Sequence, residues 1–409
     1  MHSPTPRRGR AAARAALVAV AVLCPLTAAA QDTLPCDEIS SGAPIVYGAG
    51  GSAQTPLVSK AAVVLQGSDD PVYVVYKDDA GACSGIYALT ALGPTTITGT
   101  AKYWAADGTQ LSCALPLEGE EVDFASMGNG PYLCPLVTDA AYLEGITEVT
   151  GPISSVNVLV PNASTQQSIS AEAFYLVYGF GAPAGVAPWV NTDPSYYIRR
   201  NENSYVQLYL SLATGLPVTR YTGVDAGSNT NSVAWLSALA DPEAGISFAS
   251  GEVADANRAT VRTLAWQQTG QNAAYWPDSS ATAFDKINVR TGLYYLWGPG
   301  RFYGLAGDTD GSFADPATEV LLNFFAGVSA PAGASKTITE VAIANKNVPD
   351  CAMYVTRDGD LGPLYAYAPA EPCHCAFEAA ATGATTCATC DDATPCADGT
   401  CRNGYCEEY

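Results

Sequence analysis

The chain has 409 residues, of which 40 are Asp or Glu against 19 Lys or Arg, for a formal net charge of −21. That balance repels polyanions, so it argues against nucleic acid and anionic membrane surfaces as partners. It does not argue against a small anion held by local donors.

The first thirty residues read as a leader for export. Arg7, Arg8, Arg10 and Arg14 form a positive segment, Ala15 to Leu23 is a short apolar run, and Ala28-Ala29-Ala30 before Gln31 matches a cleavage site. Cys24 follows Leu23 rather than a small residue, which disfavours a lipid anchor, and the surroundings of Arg7-Arg8 fit twin-arginine export poorly. The apolar run is too short to span a bilayer, and no membrane insertion is expected. Without the leader, 15 basic residues face 40 acidic ones, a net charge of −25. The expected location is periplasmic or secreted.

Residues 31–350 exceed what one hydrophobic core usually holds, so two lobes are expected. Ile45-Val46-Tyr47 and Val72-Tyr73-Val74-Val75-Tyr76 predict buried strands, with a helix over Ala53 to Leu65 between them. Val156-Asn157-Val158-Leu159-Val160 predicts another strand, stopped by Pro161. Ser170 caps a predicted helix running to Tyr178, with Ile169 and Phe174 as a hydrophobic staple and Gly179 as the stop. Ser204 caps a second, ending before Gly215. Ala234 to Ala240 is a third, closed by Asp241-Pro242. Asp315-Pro316 opens a fourth, which turns Leu321, Leu322 and Phe325 to a core and stops at Gly327. The alternation of strands and helices predicts an α/β fold.

Thirteen cysteines become twelve when Cys24 leaves with the leader. An even number in an oxidising compartment favours disulfides over metal. Cys36, Cys83, Cys113, Cys134 and Cys351 are scattered, whereas Cys373, Cys375, Cys387, Cys390, Cys396, Cys401 and Cys406 crowd the end. Both groups are odd, so full pairing requires at least one bridge between them. Residues 351–409 read as a small disulfide-rich module of little independent core, with zinc at Cys387-x-x-Cys390 a minor rival.

No enzyme motif stands out. Beyond the leader the only histidine is His374, wedged between Cys373 and Cys375, so neither a Ser-His-Asp nor a Cys-His arrangement is readily built. Zinc-hydrolase spacing is absent, and no catalytic residue, metal or cofactor is assigned. Gly48-Ala49-Gly50-Gly51-Ser52, between a strand and a helix, lets backbone approach a ligand, with free amides at the helix start. The same stretch satisfies G-x-G-x-x-A with Asp78 at a ribose-binding distance, but Pro56 and the export leader count against a dinucleotide. Arg199-Arg200 ahead of Ser204 is an anion clamp or an exposed pair bound to Glu202. Asp278-Ser279-Ser280 with Asp285-Lys286 reads as a polar loop of internal ion pairs, and Asp308-x-Asp310-Gly311 and Asp358-Gly359-Asp360 as ordinary turns.

Taken in order, VYGAGGSAQTP, PISSVNVLVP, SAEAFYLVYGFG, APWV, YIRRNENS, LAWQQTGQNAAYWPDS, FDKINVRTGLYYLWGP, VPDCAMYV and the closing PCHCAFE and GYCE resemble the periplasmic phosphate-binding protein family of ABC importers. The resemblance is strongest to a cysteine-rich bacterial branch. It implies a two-lobed periplasmic binding protein fold of type II, with lobe one about 40–150 and 275–350 and lobe two 151–274. It also implies a ligand clamped in the cleft, a monomer, and an ABC permease as partner. Carried over, the anion donors fall on Gly51, Ser52 and Ala53, on Gly81, Cys83 and Ser84, and on Arg200 and Ser204. Two departures matter. Ser-Gly-Thr of the family is Ser204-Tyr205-Val206 here, and the proton-accepting aspartate falls near Met127-Gly128-Asn129, with no carboxylate. Two lost charge-assisted hydrogen bonds, about 1.5–3 kcal/mol each, weaken a tight site by ~10²–10⁴-fold. The expectation is a secreted solute-binding protein with a partly degraded phosphate motif, its ligand small and an oxyanion among the candidates. The rival is an envelope structural or adhesive protein that kept the scaffold without transport.

Overall fold

The computed structural model describes residues 33–407, Asp310 and Asp392 aside. The leader and the full Asp308-x-Asp310 turn therefore lie outside the described residues. Among the described residues no helix is long and apolar enough to cross a membrane.

A nine-stranded sheet organises the chain. At its centre Ile45–Gly50 runs parallel to Tyr73–Lys77 on one side and to Phe124–Met127 on the other. Thr100–Trp104 and Gln110–Ala114 extend it antiparallel beyond Tyr73–Lys77. Beyond Phe124–Met127 come Trp297–Leu305 and then Ile146–Pro161. That last strand is 16 residues long and serves two neighbourhoods. Ile146 to Ser155 pairs with Trp297–Leu305, while Val156 to Pro161 pairs with Ser247–Ser250 and Val261–Thr263. The sequence predicts only Val156 to Val160 of it as strand. The first half, Ile146 to Gly151, is partly exposed and interleaved with Thr and Glu, so no apolar run marks it.

Helices cover the sheet where their punctuation says they should. Thr55–Gln66 carries Pro56 in its first turn, where a missing N–H costs nothing, and buries Leu57, Val58, Ala61 and Leu65. These pack with Phe302 and Phe325, whose rings stack at 4.0 Å, and with Leu321 and Leu322 of Pro316–Phe325. Asp315 caps that helix by accepting from the Thr318 amide. Ser170 caps Ala171–Phe180, accepting from Ala173 N at 3.1 Å, and the helix ends at Gly181 rather than Gly179. Its Phe174 and Tyr178 enter an aromatic cluster with Tyr221, Phe248 and Trp266. Asn229–Ser237 begins five residues before the expected Ala234, because Ser228 caps it, and it stops at Ser237.

Among the described residues all twelve cysteines pair. Cys36–Cys113 and Cys83–Cys134 staple the body, Cys375–Cys387, Cys390–Cys401 and Cys396–Cys406 the end. Cys351–Cys373 is the bridge that the odd counts require. The polar loop is as expected: Asp278 pairs with Lys286 and Arg258, burying its charges together with Asp255.

Candidate functional site

The central strand delivers its chain end to a pinned turn. Gly51 N donates to Ser126 O at 3.3 Å, and Gly51 O accepts from Tyr76 Oη at 3.1 Å and Gln54 N at 2.9 Å. Tyr76 Oη also bonds Ser126 Oγ at 2.6 Å. Among the described residues no acceptor takes the Ser52 or Ala53 amide. Ser52 Oγ accepts from Arg200 Nη2 at 3.5 Å and from Asn229 N at 3.3 Å, across 148 and 177 residues of chain.

Arg200 is 2% exposed and is not the exposed partner of Glu202. Its amide donates to Gln207 Oε1, Nη1 to Asn229 Oδ1 at 2.9 Å and Nη2 to Gly227 O at 2.8 Å, while Nε is buried with no partner. Burial pushes its pKa down to about 10, with Asp225 and Asp78 pulling the other way, so it stays cationic at neutral pH. Among the described residues no carboxylate forms an ion pair with it. The guanidinium is thus held by neutral dipoles, and Ser52 sits on its outer side.

The second loop makes internal bonds through Cys83 and Ser84. Cys83 sulfur is bridged to Cys134, and its amide donates to Asn203 O at 3.2 Å. Ser84 Oγ closes back onto Gly81 O at 2.7 Å. Gly81 has φ +87°, and a Cβ there would come within 2.9 Å of Asn203 Cβ, so this loop and the Arg200 loop meet backbone to backbone. Ser204 is buried at the start of Tyr205–Thr214, but its hydroxyl makes no cap bond.

The two sequence departures meet in space. Tyr205 is fully buried with its ring on Gly128, where an added Cβ would lie 2.5 Å from a ring carbon. Only a residue without a side chain lets the ring lie there. Asn129 is buried, donating Nδ2 to Gly130 O, with Oδ1 unpartnered. Beneath Tyr205, Ser154 Oγ donates to Glu252 Oε2 at 2.7 Å, and burial raises this carboxyl to about 7. A bulky ring therefore packs where the resemblance expects a glycine facing an aspartate.

An open cleft of about 400 Å³ lies beside Ser52, lined by Thr55, Pro56, Ser59, Asp78, Lys102, Trp104, Gln110, Ser228 and Thr230. Asp78 Oδ2 accepts from Lys102 Nζ at 2.6 Å and Thr55 Oγ1 at 2.5 Å. Lys102, Trp104 and Gln110 were not legible in the sequence, since only the order of strands in the sheet brings them here. A larger cavity, about 680 Å³, is lined by Ile153, Trp297, Arg301, Met353 and Arg357 where the long strand meets the C-terminal segment.

No protein-family model matches the sequence, and no curated protein matches it. Solved structures do. A Clostridium perfringens chain described as a phosphate ABC transporter substrate-binding protein with bound phosphate superposes with a TM-score of 0.51 at 11% identity, covering 75% of this chain and 99% of that one. An ABC-type phosphate transport receptor from Vibrio cholerae gives 0.45 at 11%, over 74% and 99%. A phosphate-binding protein from Stenotrophomonas maltophilia gives 0.41 at 15%, over 75% and 91%. The chain shares the α/β fold of the first, with a disulfide-rich end besides.

Proposed function

We propose that this chain is an extracytoplasmic solute-binding protein that holds a small ligand in the cleft beside Ser52. The observation that carries the reading is Ser52 itself. Its hydroxyl is fixed by a buried guanidinium and a helix-start amide, at the wall of an open cleft, in a fold shared with a phosphate substrate-binding protein. Gly51 shapes the turn, Ser52 and the Ala53 amide face the ligand, and Arg200 orients Ser52 from behind. Ser204, Gly81 and Ser84 support the loops. The division into lobes at about 151 and 274 belongs to the same proposal, with closure of the lobes as the binding motion. Six disulfides and the leader suit a periplasmic or secreted monomer, and an ABC permease is the partner the fold suggests. Binding is the activity, not catalysis.

A thermal-shift screen of small solutes on the oxidised protein tests this. A binder should raise Tm in the wild type, and Ser52→Ala should abolish most of the shift while leaving the unliganded Tm within a degree or two. A shift that survives Ser52→Ala intact removes the cleft from the account. Arg200→Ala is the poorer probe, because the buried guanidinium also supports the fold.

A second reading, a scaffold protein that no longer transports, is favoured by one specific contact. Tyr205 on Gly128 fills space that the resemblance assigns to the ligand. On that reading no solute shifts Tm, in the wild type or in Ser52→Ala.

A further inference from the structure

The chemistry of the cleft beside Ser52 selects against the anion that the fold suggests. Only two charged side chains line it, Asp78 and Lys102, and they neutralise each other at 2.6 Å. Arg200 does not line it: its guanidinium donates to Asn229, Gly227 and Ser52, and its unpartnered Nε is buried. An entering oxyanion therefore meets no unpaired cation. It meets a carboxylate instead, because Asp78 Oδ2 takes both Lys102 and Thr55 while Oδ1 takes no donor among the described residues.

An ionised carboxylate oxygen only accepts hydrogen bonds, so Oδ1 calls for an O–H or N–H on the ligand. Coulomb repulsion between it and an anionic oxygen opposes entry of an anion, more strongly at a protein surface than in bulk water. The remaining lining is hydroxyls, Pro56, the exposed amide of Gln110 and the largely buried Trp104. Hydroxyls and amides both donate and accept, and they match a ligand that does the same. A volume of about 400 Å³ is at the small end of ligand sites and fits a compact molecule. The net charge of −21 adds a long-range field that depletes anions near the surface.

We infer that the ligand of this cleft is an uncharged polyhydroxylated molecule, a mono- or disaccharide or a related polyol, and not an oxyanion. The inference rests on the solute-binding reading above and names the class of solute. Asp78 accepts from a pair of ligand hydroxyls, Lys102 and Gln110 complete the ring of contacts, and Ser52 bonds from the opposite wall.

Isothermal titration of the full oxidised chain tests it. The probes are a panel of neutral monosaccharides, disaccharides and polyols, with inorganic phosphate and sulfate alongside, each at 0.05 and 0.5 M NaCl. At least one neutral compound should bind, with an affinity that changes less than twofold with salt. Asp78→Asn should weaken it at least tenfold. Gln110→Ala, at an exposed position that folding tolerates, should weaken it about three- to tenfold. Binding of phosphate or sulfate with none of the neutral compounds overturns the ligand class and leaves solute binding standing. No binding by any probe overturns both. Saccharide binding indifferent to Asp78→Asn and Gln110→Ala overturns the site.

Discussion

Arg200 and Glu252 are buried ionisable groups near the site, and each makes a measurable demand. Arg200→Ala strands Asn229 Oδ1 and Gly227 O and leaves a polar void, a loss of about 2–4 kcal/mol in urea unfolding. Glu252 works through pH. Its folded pKa of about 7 stands above its unfolded value, so between pH 4.5 and 7 the native state holds the proton the unfolded chain has released. Stability is therefore greatest below that window and is lost as pH rises through it, by roughly 3 kcal/mol if no other group intervened. Asp123, raised to about 6 by burial, adds to the same slope, whereas Asp285, held low by Ser279, opposes it at lower pH. Glu252→Gln should flatten the fall of Tm between pH 5 and 8, and an unchanged slope rules Glu252 out as its source. At this scale Ser52 and Arg200 were legible because a glycine turn and a helix start are local patterns. The fates of Cys83 and Ser84 were not, since a disulfide partner and a facing loop are set by distant chain.

Helix caps carry their own signal. Ser170 and Asp315 could be found in the sequence because a cap, its third residue and a following apolar stripe lie within a few positions. Ser170→Ala should cost about 1 kcal/mol by denaturant unfolding, with no effect on any bound solute. Polar Asn229, Thr230 and Asn231 after Ser228 hide the start of the helix, whose cap also sets the Asn229 amide toward Ser52. The long strand was half seen for a similar reason. Its exposed first half has a mixed pattern, and only its pairing with Trp297–Leu305 defines it. Phe302 on that partner strand stacks on Phe325, and Phe302→Ala should cost about 3–5 kcal/mol, since the stacked ring has no substitute.

At the scale of the molecule, the described residues from Leu34 onward cohere as one unit, and direct contacts tie the Ser52 side to the Arg200 side. Cys83 N to Asn203 O, Tyr87 Oη to Asn203 Oδ1 and the Tyr205 ring on Gly128 add to the tie. The C-terminal end is held differently. Its bridges close short loops of 12, 11 and 10 residues, each stabilising by roughly 3 kcal/mol, over a segment that is largely exposed. Limited reduction followed by alkylation and mass mapping should label Cys387, Cys396 and Cys401 well before Cys36 or Cys83, which are fully buried. The sequence required a bridge from body to end by parity alone, but could not say that Cys351 and Cys373 make it.

All of this converges on the cleft beside Ser52, and a crystal structure of the oxidised chain with a solute that raises its Tm would test it most directly. Ligand density is expected within hydrogen-bond distance of Ser52 Oγ and Asp78 Oδ1. Density seated instead against Trp297 and Arg357 in the larger cavity, with the Ser52 cleft empty, would contradict it.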